Sequence, residues 1–438
     1  MRTEIGIDLN WHPPPLNLIR SSIVKAKFTK GREAASPRRS RWIIYSAPAS
    51  LYFFALFHRV APAVIALDLI SDLQVGPAIL GAISSAYFYS YAIAQIPAGA
   101  MLDRAGVKKT LIVFSLVACL GTLLFSQGQD ALQVTMGRAL VGFGVGAFFL
   151  SCLKVAALWF EPREFGFMLG VTTSIGSLGS IAATAPLAVM TLLIGWRGSF
   201  LTVLVFMLAL TAYSYLVLPH IPPQVHNRSF TQEPLSSQLK KVFTHKEFLI
   251  LFPIPFLSYG AMMAFHGLWG GPFLMQVYGL DKTTAGSILL MVSVGFLSSA
   301  MLIGWLSDKV LKSRRRVIIA GEAILLFFWF SVVFFTSFLP FWSFYALCFL
   351  LGMGFAAADL YMAMAKEMFP VEMSGLTTAS LNLSNFIGVA FFQVVLGFML
   401  RNAAEASAAS AYSGVFMLCL AAVVLSLILA LFTKETLK

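Results

Sequence analysis

Charged side chains are scarce in this chain of 438 residues. Asp, Glu, Lys and Arg together make up 11% of it, whereas soluble domains carry roughly 25%. Hydrophobic residues account for 58%, and phenylalanine alone occurs 40 times. A soluble protein of this size has no core large enough to bury so much apolar surface, but a lipid bilayer can receive it. The shortage of charge therefore predicts a membrane protein.

Signatures of catalysis and of bound cofactors are missing as well. The sequence has no phosphate-binding Gly-Lys-Ser/Thr loop, no His/Cys cluster with metal-ligand spacing and no nucleophile elbow. Its four cysteines lie in four separate apolar runs, which predicts small core residues and not a disulfide or metal set: Cys119, Cys152, Cys348 and Cys419. We therefore expect no enzyme, no ATP-driven pump, no metal and no cofactor.

Long apolar runs, by contrast, are plentiful. Each has about 20 residues or more, enough to cross a hydrocarbon layer of about 30 Å as a helix. Such runs must be helical, because lipid offers no partner to open backbone polar groups. The sequence predicts an all-α protein with twelve transmembrane helices, near residues 42–68, 78–102, 109–127, 132–158, 165–193, 198–219, 248–277, 284–307, 316–338, 342–365, 375–400 and 411–432.

The net charge of +12 is unevenly distributed along the chain. Basic residues concentrate in alternate connections between the runs and in the N-terminal stretch, whereas the other connections carry few, such as Arg197, Lys282 and Arg401. This asymmetry is the positive-inside pattern of membrane proteins. It predicts that both termini are cytoplasmic, and it favours the inner membrane of a bacterium over nucleic acid as the partner of the positive charge.

Two motifs occur twice, at nearly the same offset. Glycine, three residues, aspartate and a cation occur at Gly99 to Arg104 and again at Gly304 to Lys309, with 308 − 103 = 205 between the aspartates. A second pair of motifs, beginning at Gly144 and Gly352, repeats at 352 − 144 = 208. A long-period repeat predicts two related halves. We expect a basic cytoplasmic arm at 1–41, six-helix bundles at 42–219 and 248–438, and a cytoplasmic linker at 220–247.

At these residues the chain resembles the major facilitator superfamily of secondary transporters. In that family a Gly-x-Leu-x-Asp-Arg-x-Gly-Arg-Lys motif joins helices 2 and 3, and a weaker copy joins helices 8 and 9. The resemblance implies a pseudo-symmetric transporter whose motif residues form a conformational latch. In that latch, Gly99 allows close approach of helix 11 and Asp103 meets the N-terminus of helix 11. The matching latch residues are Gly99, Asp103, Arg104, Gly106, Lys108, Gly304, Asp308 and Lys309.

One arginine lies deep in the first run. Arg59 follows the interfacial Trp42 by 17 residues, or about 26 Å of helix, too far to reach back to the cytoplasm. This spacing resembles the first helix of the organic-anion and organophosphate branches of the superfamily, where the arginine binds the anionic group of the substrate. The alternative is a structural arginine at the outer interface, since Pro62 can end the helix. We place Arg59 and the adjacent His58 among the substrate-binding residues.

The repeat also brings two opposite charges to similar depth. Lys154 and Asp359 lie in the two related runs that, by the resemblance, line the central cavity. We expect Lys154 to bind substrate and Asp359 to accept the transported proton, its charge influenced by Lys154. The alternatives are a fixed structural ion pair and charges at headgroup level.

Further polar candidates are weighed against packing roles. Tyr91, in a Tyr-Tyr-Gln stripe at helical spacing, His266 and Asn385 are expected to contact substrate, with ordinary helix packing as the alternative. Arg138 is interpreted as an interfacial anchor, and the alternative is the family arginine of drug antiporters that it resembles. Glu322 is expected to pair with the basic cluster that ends at residue 316.

Three functions fit the sequence. The first is an inner-membrane secondary transporter, acting as a monomer, that moves a small organic anion or zwitterion by alternating access with coupling to protons. The second is an exporter of a drug-like or siderophore-like compound. The third is a transporter-shaped receptor that signals through the basic N-terminal arm.

Overall fold

The computed structural model describes residues 38–219, 235–370, 373–403 and 405–437. Most of the predicted arm at 1–41 and of the predicted linker at 220–247 lies outside these ranges. Within them all regular structure is helical, and no strand occurs. Residues 45–437 belong to one compact unit, and residues 38–44 form the start of the first helix.

The first half of the chain contains seven described helices. They are α1 (Arg38–Val60), α2 (Pro62–Leu73), α3 (Pro77–Gln127), α4 (Ala131–Val145), α5 (Phe148–Trp159), α6 (Phe165–Ala182) and α7 (Ala185–Val217).

The second half contains ten described helices. They are α8 (Leu235–Thr244), α9 (Lys246–Leu251), α10 (Pro253–Ala264), α11 (Gly270–Tyr278), α12 (Lys282–Trp305), α13 (Arg314–Phe335), α14 (Ser343–Ala358), α15 (Tyr361–Glu367), α16 (Ser374–Asn402) and α17 (Ala408–Phe432). Wider π-helical turns at 265–269 and 306–310 join α10 to α11 and extend α12.

The number of membrane crossings follows from where these helices break. Ten helical stretches are long and apolar enough to span a bilayer, and α1 with α2, bent by 54°, makes an eleventh. The 51 residues of α3 would extend about 76 Å, more than twice the thickness of the hydrocarbon layer. The chain reverses at Gly106, whose φ of 78° is accessible to glycine without strain. Divided there, α3 supplies two crossings, and 11 + 1 gives the predicted twelve.

The two halves meet at the end of the bundle that lies opposite the repeated motifs. We call the end with Asp103 and Asp308 the basic end, and the opposite one the far end. A β-carbon on Gly271 of α11 would lie only 1.7 Å from the carbonyl oxygen of Ala63 in α2. Such contacts require glycine, because the two backbones touch. They close the far end.

A charged contact reinforces this closure. Lys282, the first residue of α12, places its Nζ 2.6 Å from a carboxylate oxygen of Asp68 in α2, and both side chains are largely buried. At the basic end, by contrast, a β-carbon on Gly99 or Gly304 would meet no atom within 4 Å. The motif glycines therefore stand clear of other helices while the far end is shut.

The C-terminal tail folds back onto the basic end of the second half. Glu435 accepts hydrogen bonds from the backbone N–H groups of Arg314 (3.0 Å) and Arg315 (3.3 Å) at the start of α13, and from the Ser313 hydroxyl. Partial burial raises the pKa of this carboxyl, but the hydrogen bonds outweigh burial, and the pKa lies below its ordinary value of 4.5. The tail thus caps the N-terminus of α13.

Candidate functional site

Arg59 lies at the centre of the molecule, on the last turn of α1. Its side chain is buried, and Nη1 donates a hydrogen bond of 3.1 Å to the hydroxyl of Tyr259 in α10. The guanidinium carbon lies 5.4 Å from the ring centre of Tyr91 in α3 and 5.2 Å from that of Phe386 in α16. Both distances suit cation–π contact. The arginine of the first half is therefore held by residues from both halves.

This buried cation has no anionic partner in the part of the chain that the structure describes. No carboxylate of those residues lies within 4.0 Å of the Arg59 guanidinium, and its Nε makes no hydrogen bond. The contacts that support the charge are the hydroxyl of Tyr259 and the faces of the Tyr91 and Phe386 rings. A charge buried without a counter-ion is costly. The site is therefore suited to receive an anion.

A second arginine explains how α1 can break beside this site. Pro62 has no N–H group, so the carbonyl of His58, four residues earlier, loses its helical partner. Arg138 of α4 fills the vacancy by donating from Nη1 to that oxygen at 2.8 Å. Arg138 is 1% exposed, and its guanidinium lies over the ring of Tyr87. The prediction of an interfacial anchor is wrong, because Arg138 is a buried support for the bend.

The two predicted histidines face the interiors of their own halves. The ring of His58 packs against Phe200, and its Nε2 lies 3.3 Å from the Thr122 hydroxyl. Neighbouring residues on a helix point about 100° apart, so His58 and Arg59 meet different surroundings. His266 is buried in the π-helical turn after α10, with Nε2 3.3 Å from the hydroxyl of Ser293 in α12. Neither histidine is in a contact with the Arg59 guanidinium.

A second set of polar residues lies near Tyr259 in the second half of the chain. Tyr361 of α15 donates a hydrogen bond of 2.8 Å to the amide oxygen of Asn385 in α16. Asp359 lies at the break between α14 and α15 and interacts electrostatically with Tyr361, as does Tyr259. The structure thus brings Arg59, Tyr91, Asn385 and Asp359 into one polar layer that crosses between the halves.

Lys154 does not belong to this layer. Its Nζ lies 2.8 Å from Asp103 at the basic end, and the two side chains are 37% and 67% exposed. The predicted interaction of Lys154 with Asp359 is therefore wrong, because the long lysine side chain carries its charge toward water. Asp103 pairs with this lysine of α5, and no contact with the start of α16 is among its interactions in the described ranges.

The remaining latch residues also lie at the basic end. Asp308 accepts from Arg314 at 2.5 Å, and the same arginine lies 3.2 Å from Glu367 of α15. Lys108 places its Nζ over the ring of Tyr215, 4.6 Å from its centre. Arg104 and Lys309 are exposed. Each half therefore pairs its motif aspartate with a cation of the same half.

Glu322 is an acidic residue with no cationic partner among the described residues. Its side chain, in the middle of α13, is fully buried, and neither carboxylate oxygen has a hydrogen-bond partner among the described residues. The predicted pairing with the basic cluster is wrong. Arg316 and Glu322 are six residues apart, which places their side chains about 120° apart around the helix. The mismatch with i+3 and i+4 spacing was the signal that could have shown this.

The architecture and the repeated motifs can be compared with known families. The family model of the Major Facilitator Superfamily matches residues 49–392 and 251–437. The chain belongs to this superfamily. Membership confirms the resemblance inferred from the motifs and makes the chain an integral membrane protein and a secondary transporter of small organic molecules.

Curated relatives within the superfamily carry transporter names. The chain is 26% identical over 377 residues to "Uncharacterized transporter YybO" of Bacillus subtilis, covering 80% of this chain and 85% of the relative. It is 28% identical over 300 residues to "Probable sulfoacetate transporter SauU" of Cupriavidus necator, covering 66% and 69%. It is 26% identical over 308 residues to "Probable L-galactonate transporter" of Escherichia coli, covering 65% and 67%.

Solved superfamily structures share the architecture. A bacterial homologue of the human lysosomal transporter Spinster, in an inward-facing conformation, matches with a TM-score of 0.73 at 15% identity, over 91% of this chain and 97% of that one. The D-xylose-proton symporter matches with a TM-score of 0.73 at 15% identity, over 91% and 98%. These similarities establish the fold, and the all-α membrane architecture predicted from sequence is confirmed.

Proposed function

We propose that this transporter moves a small organic anion or zwitterion across the membrane by alternating access, and that Arg59 binds its negative group. The observation that carries the proposal is a guanidinium buried between the halves with no carboxylate partner among the described residues. An incoming carboxylate or sulfonate would supply the missing counter-charge and accept charge-assisted hydrogen bonds. The sulfoacetate and L-galactonate in the names of two relatives are small organic anions.

The same geometry supports a proposal for the direction in which the site opens. The positive-inside pattern supports a cytoplasmic location for the basic end and for both termini. The far end is closed by backbone contacts, while the motif glycines at the basic end stand clear. The structure then corresponds to a cytoplasm-facing state, and the two six-helix halves rock to expose Arg59 on the other side. A C-terminal tag reachable only from the cytoplasm would agree with this orientation.

Binding to Arg59 can be tested on purified protein in proteoliposomes with labelled sulfoacetate, galactonate and galacturonate as probes. Arg59→Ala removes at least two charge-assisted hydrogen bonds, worth about 1.5 kcal/mol or more each, so we expect Kd to rise about 100-fold or more. Arg59→Lys keeps the positive charge but loses the planar guanidinium, so its Kd should lie between those of the parent protein and Arg59→Ala. Arg163→Ala, at an arginine that is 81% exposed, is the matched control. Equal binding by Arg59→Ala and Arg163→Ala would contradict the proposal.

Proton coupling is the second part of the proposal, with Asp359 as the proton-accepting group of the polar layer. Its neighbour Tyr361, which interacts electrostatically with Asp359, donates a hydrogen bond to Asn385, and the next residue, Phe386, contacts the Arg59 guanidinium. Asp359→Asn should keep the exchange of labelled for unlabelled probe while losing accumulation driven by a pH gradient. Accumulation that still follows the gradient in this variant would exclude Asp359 from coupling.

A further inference from the structure

A buried carboxyl group lies on a different side of α10 from the Arg59 site. Glu322 of α13 is 0% exposed and faces the hydroxyls of Ser258 in α10 and Ser426 in α17. The Ser426 hydroxyl is itself buried and makes no hydrogen bond among the described residues. Two polar groups without partners thus meet in an otherwise apolar part of the second half.

Cations are absent from the surroundings of Glu322 in the described ranges. No Lys, Arg or His there lies within 4.0 Å of its carboxylate. Of the three arginines that begin α13, Arg314 pairs with Asp308 and Glu367, Arg315 donates to the carbonyl of Leu431, and Arg316 is exposed. An ionised carboxylate without a cation is far costlier in such a site than a neutral carboxylic acid. Glu322 therefore holds a proton in this conformation.

The groups that face Glu322 and its neighbour Gly321 come from four elements packed against α13. α10 and α17 contribute the two serines, and α15 contributes Tyr361, which interacts electrostatically with both Glu322 and Asp359. α14 packs against the preceding Gly321 through the backbone of Gly354 and Ala358, which carry no charge. The nearest acid linked to Glu322 is therefore Asp359, through Tyr361.

The position of Glu322 connects it to the anion site. Ser258 faces Glu322, and the next residue of the same helix, Tyr259, holds the guanidinium of Arg59. A movement of α10 that changes one of these contacts must change the other, because the two residues belong to one rigid element.

We propose that Glu322, with the hydroxyls of Ser258 and Ser426, forms a proton-binding site of this transporter in addition to Asp359. The inference deepens the proposed proton-coupled function and rests on it. The carboxyl keeps its proton while α10, α13 and α17 are packed as in this structure, and it releases the proton when their movement admits water. The neutral acid can donate a hydrogen bond to the hydroxyl of Ser426 on α17, which has no other partner among the described residues.

Infrared difference spectroscopy of the full-length protein in lipid tests the site without any substrate. We expect the parent protein at neutral pH to show the carbonyl band of a protonated carboxylic acid that shifts in D2O. Glu322→Gln should lose this band, and Ser426→Ala should shift it, because the acid then loses the hydroxyl that accepts its hydrogen bond. Glu247→Gln, at a carboxylate paired with Lys434 at 2.5 Å, is the matched control and should retain it.

The outcomes separate this inference from the proposed function. Arg59→Ala should keep the Glu322 band even if every probe anion fails to bind, so failure of the anion site leaves this test intact. A spectrum of Glu322→Gln identical to that of the parent would overturn the inference. A band that disappears when NaCl replaces choline chloride would also overturn it, because the site would then bind sodium. Equal thermal stability of Glu322→Gln and Glu247→Gln shows that both variants are folded.

Discussion

The ion pair between Asp68 and Lys282 is expected to control how firmly the far end stays closed. Its atoms lie 2.6 Å apart across the two halves, with the side chains 28% and 15% exposed. Exposed pairs contribute less than about 1 kcal/mol, whereas breaking a buried pair costs about 3 to 5 kcal/mol. A half-buried pair should contribute about 1 to 2 kcal/mol, which is a roughly 5- to 30-fold change in the population of the closed state.

Pulsed electron spin resonance can measure this population. Spin labels on Gln129→Cys and Ala406→Cys, in far-end loops of the two halves, would report their separation once the four buried native cysteines are replaced. Asp68→Asn keeps the side-chain shape and removes the charge, so we expect it to enlarge the long-distance population. Asp72→Asn is the control, because Asp72 lies on the same helix but pairs with Arg197 of its own half at 2.5 Å.

A charge reversal completes the experiment. Asp68→Lys combined with Lys282→Asp places the same two charges in exchanged positions and should restore most of the closed population, whereas each single reversal should lower it. Distance distributions that are the same for Asp68→Asn, Asp72→Asn and the parent protein would refute the reasoning.

Three further predictions follow from contacts elsewhere in the molecule. Gly271→Ala should favour the far-end-open state in the same distance measurement, because its β-carbon would overlap a backbone oxygen, whereas Gly414→Ala, with open space around it, should not. Tyr259→Phe removes a hydrogen bond to a charged group, about 1.5 to 3 kcal/mol of support for the anion site, and should weaken probe binding roughly tenfold or more; unchanged binding would exclude this role. Tail attachment through Glu435 should be complete at neutral pH and lost as the pH falls through its lowered pKa, so limited proteolysis should release the tail in acid, and at neutral pH in Glu435→Gln but not in exposed Glu405→Gln.

The fold could be predicted from sequence because lipid imposes simple rules. An apolar run long enough to cross must be a helix, and a motif repeated at 205 residues must place similar turns in both halves. Even the broken first crossing was foreshadowed by Pro62. What the sequence did not contain was the partner of the carbonyl that this proline leaves open, since Arg138 reaches it from a helix about 80 residues later.

The sequence predicted how deep the site residues lie in the membrane, but it did not predict which way their side chains point. The distance of Arg59 from Trp42 indicates how far it lies from the basic end, and the structure does bury it between the halves. For Lys154 the repeat predicted only the position of the backbone. Its flexible side chain pairs with Asp103 and not with Asp359. Glu322 is close to a basic cluster along the chain, but its side chain points to a different side of the helix. Tyr259 and Phe386 carried no signal, because aromatic residues are common throughout such helices.

The hydrogen bond from Arg138 to the carbonyl of His58 stabilises the bend between the two segments of the first crossing. The outer segment, α2, carries Asp68 and the backbone that seals against Gly271, and the inner segment, α1, carries Arg59. Because Arg138 of α4 holds this bend, we expect a change in the position of α2 at the far end to alter the position of the Arg59 guanidinium as well.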